Sequence, residues 1–229
     1  MHDSDMPEKA PTLREPPIND LIDAYRRRDE YSASLAESLR EKEDRIAKEM
    51  RLTNSSAISK LTKIYALVDE LGAAATGFVA CRNGCSSCCH MNVMISAVEA
   101  KQIEAATGRT RVALSSSRVH DMAEFSGQPC PFLRNASCSI YNVRPFACRK
   151  HVSFDTTSHW CHPERSHLRE MPLIRFEGAE AAFFDVTEGD KKGVFGDIRD
   201  FFSTVNCKVV SFFSKRRRQN ANRCSRCFS

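Results

Sequence analysis

The chain has 229 residues, of which 41% are apolar and 28% charged, a balance that suits a water-soluble polypeptide with one ordinary core and room for exposed helix. No apolar run reaches the ~18 residues of a membrane span, Leu71 to Cys81 being uncharged but short, and the start MHDSDMPEKAP lacks the apolar stretch of a secretory signal. The net charge of +5 is a property of the tail: residues 1–76 hold 12 Lys/Arg against 15 Asp/Glu, residues 190–229 hold 10 against 3, and nothing suggests a basic groove for nucleic acid.

Residues 1–17, with four prolines, read as a disordered arm. Asn19 or Asp20 can cap a helix expected to run on to about Leu52. Its sparse apolar positions (Leu21, Ile22, Tyr25, Leu35, Leu39, Ile46, Met50) fit a solvated helix or a short coiled coil. After the break Thr53-Asn54-Ser55-Ser56, the spacing of Leu61, Ile64, Tyr65, Val68 and Leu71 predicts a well-formed amphipathic helix. Ser96-x-x-Glu99 has the form of a capping box, opening a helix that ends at Gly108. A further helix is expected over Arg111 to Phe125. From Gly127 to about Pro163 no period holds, and so long an irregular stretch is best explained as a loop pinned by metal. Leu173 to Phe176 and Phe183 to Val186 read as strands, and Val194 to Phe202 as a short amphipathic helix. The basic end KRRRQNANRCSRCFS reads as frayed.

Eight of the 11 cysteines fall between Cys81 and Cys161, and the first 80 residues have none. Six of the seven histidines lie between His90 and His167. The expected compartment is the reducing cytoplasm, where clustered thiols are metal ligands or redox groups more often than disulfides. One constellation is Cys81-x3-Cys85-x2-Cys88-Cys89, whose close spacing lets a turn of backbone aim several sulfurs at one centre. The adjacent Cys88 and Cys89 are harder to aim at one ion, so one of them serves another centre, bridges or packs. The other is Cys130-x7-Cys138-x9-Cys148, with Pro131 and Pro145 fixing the loop and Leu133, Ile140 and Phe146 as its apolar shell. Arg149 and Lys150 stand beside a thiolate in sequence and can offset its charge, while Arg144 can bond a turn carbonyl. Cys161 is a candidate to complete a second set of four. His151, His159 and His162 are weaker candidates, His90 an outer-shell group, and Trp160 a packing residue. Cys207 reads as a core thiol, and Cys224-x2-Cys227 as a lone pair of little weight.

CRNGCSSCC, then a Val-Met-Ile-Ser-x-x-Glu segment, then CPFL, CSIY, RP and CR resemble, in order, the YkgJ-type cysteine-cluster family, a zinc- or iron-chelating domain with the loose signature CxxCxxCC. The resemblance runs from about Gly77 to Cys161. It implies metal binding through Cys81, Cys85, Cys88, Cys89, Cys130, Cys138 and Cys148, and implies no reaction, although a bacterial flagellin lysine methylase carries a similar cluster. The spacing of the first three cysteines also matches radical S-adenosylmethionine enzymes, but a helix precedes it here and no strand–helix repeat follows.

The expected fold is mainly α: a helical extension over 18–76, an irregular, metal-stapled cysteine domain with little β over 77–189, and a short helix with a basic tail over 190–229. The expected cofactor is an iron–sulfur cluster, in the form [4Fe-4S], or zinc. Eight thiolates around two zinc ions carry a formal charge of about −4, against about −2 for four thiolates on one [4Fe-4S] core. Nearby cations are few in sequence, which favours iron–sulfur or a single zinc over two zinc ions, and the preferred expectation is an iron–sulfur cluster with Cys81, Cys85, Cys88 and one later cysteine as ligands. A structural or accessory metal module is the first functional expectation, an iron–sulfur enzyme in redox or protein-modification chemistry the second. A protein partner at the N-terminal helix is expected in preference to nucleic acid.

Overall fold

The computed structural model describes residues 18–121, 124–188 and 193–203. Their elements in order are α1 (Ile18–Ser34), α2 (Glu37–Leu52), α3 (Ala57–Ala74), β1 (Met94–Ser96), α4 (Ala97–Thr107), β2 (Leu133–Arg134), β3 (Ser137–Cys138), α5 (Phe146–Lys150), α6 (Glu177–Glu188), β4 (Phe195–Asp197) and α7 (Ile198–Phe201). The fold is mainly α, with two small antiparallel ladders. No described helix is long and apolar enough to cross a membrane. The expected core thiol Cys207, the pair Cys224 and Cys227, the N-terminal arm and the basic tail lie outside the described residues.

The single helix expected from Asn19 to Leu52 is two. At Leu35–Ala36 the chain turns, and Arg40 reaches back to donate to the carbonyls of Ser32, Ala33 and Leu35 at 2.8, 3.0 and 3.1 Å. These are the carbonyls a helix end leaves without partners. The turn lets α1 and α2 use different faces. Tyr31 of α1 is wholly buried and donates to the Leu71 carbonyl at 2.9 Å. Ile46, Ala47 and Met50 of α2 pack with Leu61, Ile64, Val68 and Leu71 of α3 and with Ala179, Ala182 and Phe183 of α6 in one apolar cluster. The seam on α2 is therefore covered, and it is neither a solvated face nor a coiled coil. Gly178 permits the close approach of α6: a Cβ there would collide with the Glu43 carbonyl. The Glu43 carboxylate accepts from Ala179 N at 3.0 Å and so caps α6.

The expected strand at Phe183–Val186 lies inside α6, whose buried Ala179, Ala182, Phe183 and Thr187 follow helical spacing. Leu173–Phe176 forms no strand, although Phe176 enters the same cluster. A second cluster gathers Ile95 of β1, Ala100 and Ile103 of α4, Phe132, Ile140, and Ile198 and Phe201 of α7. Here β1 pairs with β4, Met94 opposite Asp197 and Ser96 opposite Phe195. Each strand runs into a helix through a capping box, Ser96 with Glu99 and Asp197 with Asp200. The helix expected over Val194–Phe202 is thus this strand followed by one helical turn.

Arg111–Asp121 is not helical either, nor are Glu124 and Phe125. It bonds instead to β4 and α7: Val112 N donates to Phe201 O and Arg118 N to Phe195 O, both at 2.8 Å, and Phe195 N donates to the Ser117 hydroxyl at 3.0 Å. Three consecutive serines at 115–117 favour such local alternatives to a helix ladder. His120 ties the end of this strap down, with Asp200 at 2.7 Å from Nε2 and Glu124 at 2.9 Å from Nδ1.

Glu99 joins the two clusters. Its carboxylate is buried and accepts from Tyr65 Oη of α3, Ser96 N and Phe146 N, each at 2.8 Å. One side chain thereby caps α4, caps α5 and anchors both to α3. Replacing it by alanine would strand three buried donors at about 1–3 kcal/mol each, so Glu99→Ala should cost about 3 kcal/mol or more in urea unfolding, with Glu99→Gln costing less. A loss below about 1 kcal/mol would show that the network does not hold the helices together.

His120 generates a pH prediction. The hydrogen bond to Asp200, then that to Glu124, raises its pKa, since both ring nitrogens face carboxylates and the imidazolium satisfies both. Burial alone would raise Asp200, but hydrogen bonds from His120 and Arg118 bring it below the usual carboxylate value. The His120 contribution is complete below its unfolded pKa of about 6.5 and is lost as pH rises through the higher folded value. The Asp200 contribution is complete above about 3.9 and is lost as pH falls through its lower folded value. Urea midpoints should therefore decline above about pH 6.5, and His120→Gln should flatten that decline. An unchanged profile in the variant would contradict the assignment.

Candidate metal centre

Four stretches of chain deliver the thiols. The first leaves α3 through Gly77 and turns again at Gly84, both at positive φ (93° and 89°), a region open to glycine without strain. Arg27 of α1 clamps the entrance of this loop to a later segment, donating to Gly77 O, Phe78 O and Phe154 O, each at 3.0 Å. Cys85 N donates to Arg82 O at 3.0 Å, and a 3-10 turn over Ser87–His90 carries Cys88 and Cys89.

The second stretch is bonded to the first, with Cys130 N donating to Cys89 O at 2.7 Å and Gly127 N to His90 O at 2.9 Å. Asn135 and Ala136, both at positive φ, make the tight turn between β2 and β3, and Leu133 pairs with Cys138. The hairpin brings Cys138 back towards Cys130. Third, α5 holds Cys148 at its middle, its start fixed by Glu99. Fourth, a 3-10 turn over His159–Cys161 buries Cys161 and Trp160. The guanidinium of Arg169, bonded to Asp155, lies 4.9 Å from the centre of the Trp160 ring, which packs as expected. Ser153 ties the segment after α5 to the first stretch: its N–H donates to Cys81 Sγ at 3.3 Å and its carbonyl accepts from Ala80 N at 2.9 Å, while its hydroxyl donates to Asp155 at 2.7 Å.

All eight cysteines are free thiols. Burial pushes the Cys81, Cys138 and Cys148 thiols up, Cys148 furthest, with Cys88, Cys130 and Cys138 adding to it there. Cys88 is raised first by the adjacent Cys89 thiol and then by burial. Burial also takes Cys130 to about 11 and Cys161 to about 12, the latter aided by Cys81, Cys88 and Cys85. Among the described residues no three His, Cys, Asp or Glu side chains meet at one point ready to hold a metal ion. The thiols form a neighbourhood, and rotation about χ1 moves a cysteine sulfur by about 3 Å between staggered positions.

The two expected arginine roles are exchanged. Arg149 is buried and spends its guanidinium on the carbonyls of Arg144 and Asn142, at 2.8 and 2.7 Å, and on Asp69, above the Tyr65 ring. Arg144 is the cation that faces Cys81, Cys88 and Cys138 and lowers each of them. Lys150 pairs with Glu180 at 3.0 Å. A second cation, Arg199, acts on Cys130.

A cleft of about 610 Å³ opens beside the thiols, with Cys81, Cys85, Cys88 and Cys148 on its wall together with Arg82 and Arg144. His151 lines it too, its Nε2 enclosed and without a hydrogen-bond partner. His162 has an enclosed Nδ1 in the same condition, with Glu164 at 3.8 Å, and His159 rests edge-on against Trp160. The His90 carbonyl holds the second stretch. Of the residues that shape the site, Glu99 was visible in sequence only as half of a capping box. Arg27 and Ser153 carried no signal, because their partners lie 50 residues or more away.

The donor set fits a thiophilic metal: many thiols, no disulfide, and ionisation opposed by burial until a cation compensates it. Neither the curated proteins nor the solved structures compared with the chain give a match. Residues 80–163, a span enclosing all eight of these cysteines, match the model of the CxxCxxCC family, described as "Putative zinc- or iron-chelating domain".

Proposed function

We propose that the chain binds metal through the thiols of Cys81, Cys85, Cys88, Cys89, Cys130, Cys138, Cys148 and Cys161, and that the metal acts as a structural or accessory module. The observation that carries this reading is the gathering of eight unlinked thiols from four stretches of chain. The segment between them has few regular elements of its own, and metal ligation can contribute ~10 kcal/mol or more to folding such a segment. The favoured group is an iron–sulfur cluster: the cations close to the thiols are few, Arg144 and Arg199, and four thiolates on one [4Fe-4S] core leave a formal charge of about −2 against about −4 for eight thiolates on two zinc ions. Zinc would supply a redox-inert staple, and an iron–sulfur cluster one-electron chemistry. A cytoplasmic setting agrees with thiols left unlinked. A protein partner at the N-terminal helices fits the accessory role, with Ile22 of α1 exposed on the outside.

A second reading, an iron–sulfur enzyme, is favoured by the cleft, which gives a small molecule access to Cys81, Cys85 and Cys88 between Arg82 and Arg144.

The protein isolated without oxygen should be brown, with broad absorption near about 400 nm that bleaches on reduction. Cys148→Ser should lower its metal content and make residues 77–163 protease-sensitive. A colourless preparation with stoichiometric zinc would replace the cluster by zinc. Unchanged metal content and melting in Cys148→Ser would refute its role as a ligand.

A further inference from the structure

Residues 153–155 belong to no helix or strand, yet each is pinned. Ser153 is wholly buried, and the first cysteine loop holds its peptide on both sides: its carbonyl accepts from Ala80 N at 2.9 Å and its N–H donates to Cys81 Sγ at 3.3 Å. The Phe154 carbonyl accepts from Arg27 at 3.0 Å. The Ser153 hydroxyl donates to one carboxylate oxygen of Asp155 at 2.7 Å and accepts from Asp155 N at 3.3 Å. The other Asp155 oxygen pairs with Arg169, whose guanidinium lies 4.9 Å from the centre of the buried Trp160 ring. The Asp155 and Arg169 side chains are both only 5% exposed. A buried ion pair is a costly way to fill space, and apolar residues of similar size often serve stability as well or better. The carboxylate supplies something an apolar residue cannot, a fixed acceptor for the Ser153 hydroxyl.

We propose that the Ser153 N–H is a dedicated donor to the Cys81 sulfur, kept on aim by Asp155, Arg169 and Trp160, and that this bond governs how firmly Cys81 keeps its metal. This rests on the metal-binding reading above and adds to it residues that are not ligands. A thiol sulfur is a weak acceptor, whereas a hydrogen bond to ionised sulfur is charge-assisted and correspondingly stronger. The donor therefore favours Cys81 in the form that binds metal. The bond matters at this cysteine because Cys81 stands on the wall of the open cleft, where water, protons and competing ligands can reach the sulfur. There the Ser153 N–H occupies the sulfur from the protein side. Both carboxylate oxygens of Asp155 are committed, one to Ser153 and one to Arg169, so Asp155 acts on Cys81 only through Ser153. Ser153, Asp155 and Arg169 are thus positioning residues.

The full chain, isolated without oxygen, is challenged with EDTA in the presence of iodoacetamide, and metal release and alkylation are followed together. Ser153→Ala should carry as much metal as the wild type but release it about tenfold faster or more, with Cys81 the first thiol alkylated on peptide mapping. Asp155→Asn should also speed release. Ser153→Thr, which keeps the hydroxyl, should release metal at the wild-type rate. Wild-type release from Ser153→Ala or Asp155→Asn, or faster release in which Cys81 does not lead, would overturn the proposal and leave metal binding intact. A wild type that carries no metal would overturn both. A further measurement needs no variant. Hydrogen exchange resolved to single residues should show the Ser153 amide protected in the metal-loaded wild type, and exchange at the rate of an exposed amide would show that no bond to Cys81 is made.

Discussion

Crowded thiols without a disulfide set the terms for everything built around them. Burial and mutual proximity push these groups away from ionisation, yet the thiolate is the form that binds metal. The chain supplies little positive charge to reconcile the two, since Arg149 and Lys150 are committed to Asp69 and Glu180. A bound cation is the natural way to let several thiols ionise together in so dry a place. On the proposed reading the cysteine segment takes its order from its ligand, and the helices around it serve to hold the thiols within reach of one another.

That holding is done by a few long-range polar bonds. Glu99 fixes the start of α5, and so Cys148, to α3 and α4. Arg27 closes the mouth of the first cysteine loop onto Phe154. Ser153 ties the segment after α5 to Cys81. Each is partly or fully buried, where a hydrogen bond left unmade costs more than a made one contributes. The N-terminal helices are thus part of the apparatus that positions the thiols, as well as half of an apolar core.

Sequence revealed the features whose causes are local. The apolar spacing of α3 and the Ser96/Glu99 capping box with its stop at Gly108 are readable within a dozen residues. The missed features have distant causes. Arg111–Asp121 is a strap because its donors find Phe195 and Phe201 some 80 residues on. Phe183–Val186 is helical because Ala179 and Ala182 complete a face that packs on α2 and α3. The single N-terminal helix broke where Arg40 could satisfy the carbonyls of α1. At the site, spacing marked the cysteines, but which of them face the cleft, and whether Arg144 or Arg149 faces the thiols, depend on how four stretches of chain fold together.

The central claim, that these thiols are metal ligands, is tested most directly by metal K-edge X-ray absorption on the anaerobically isolated protein. The account predicts bound iron or zinc with sulfur neighbours at about 2.3 Å dominating the first shell. A first shell made only of nitrogen and oxygen would contradict it.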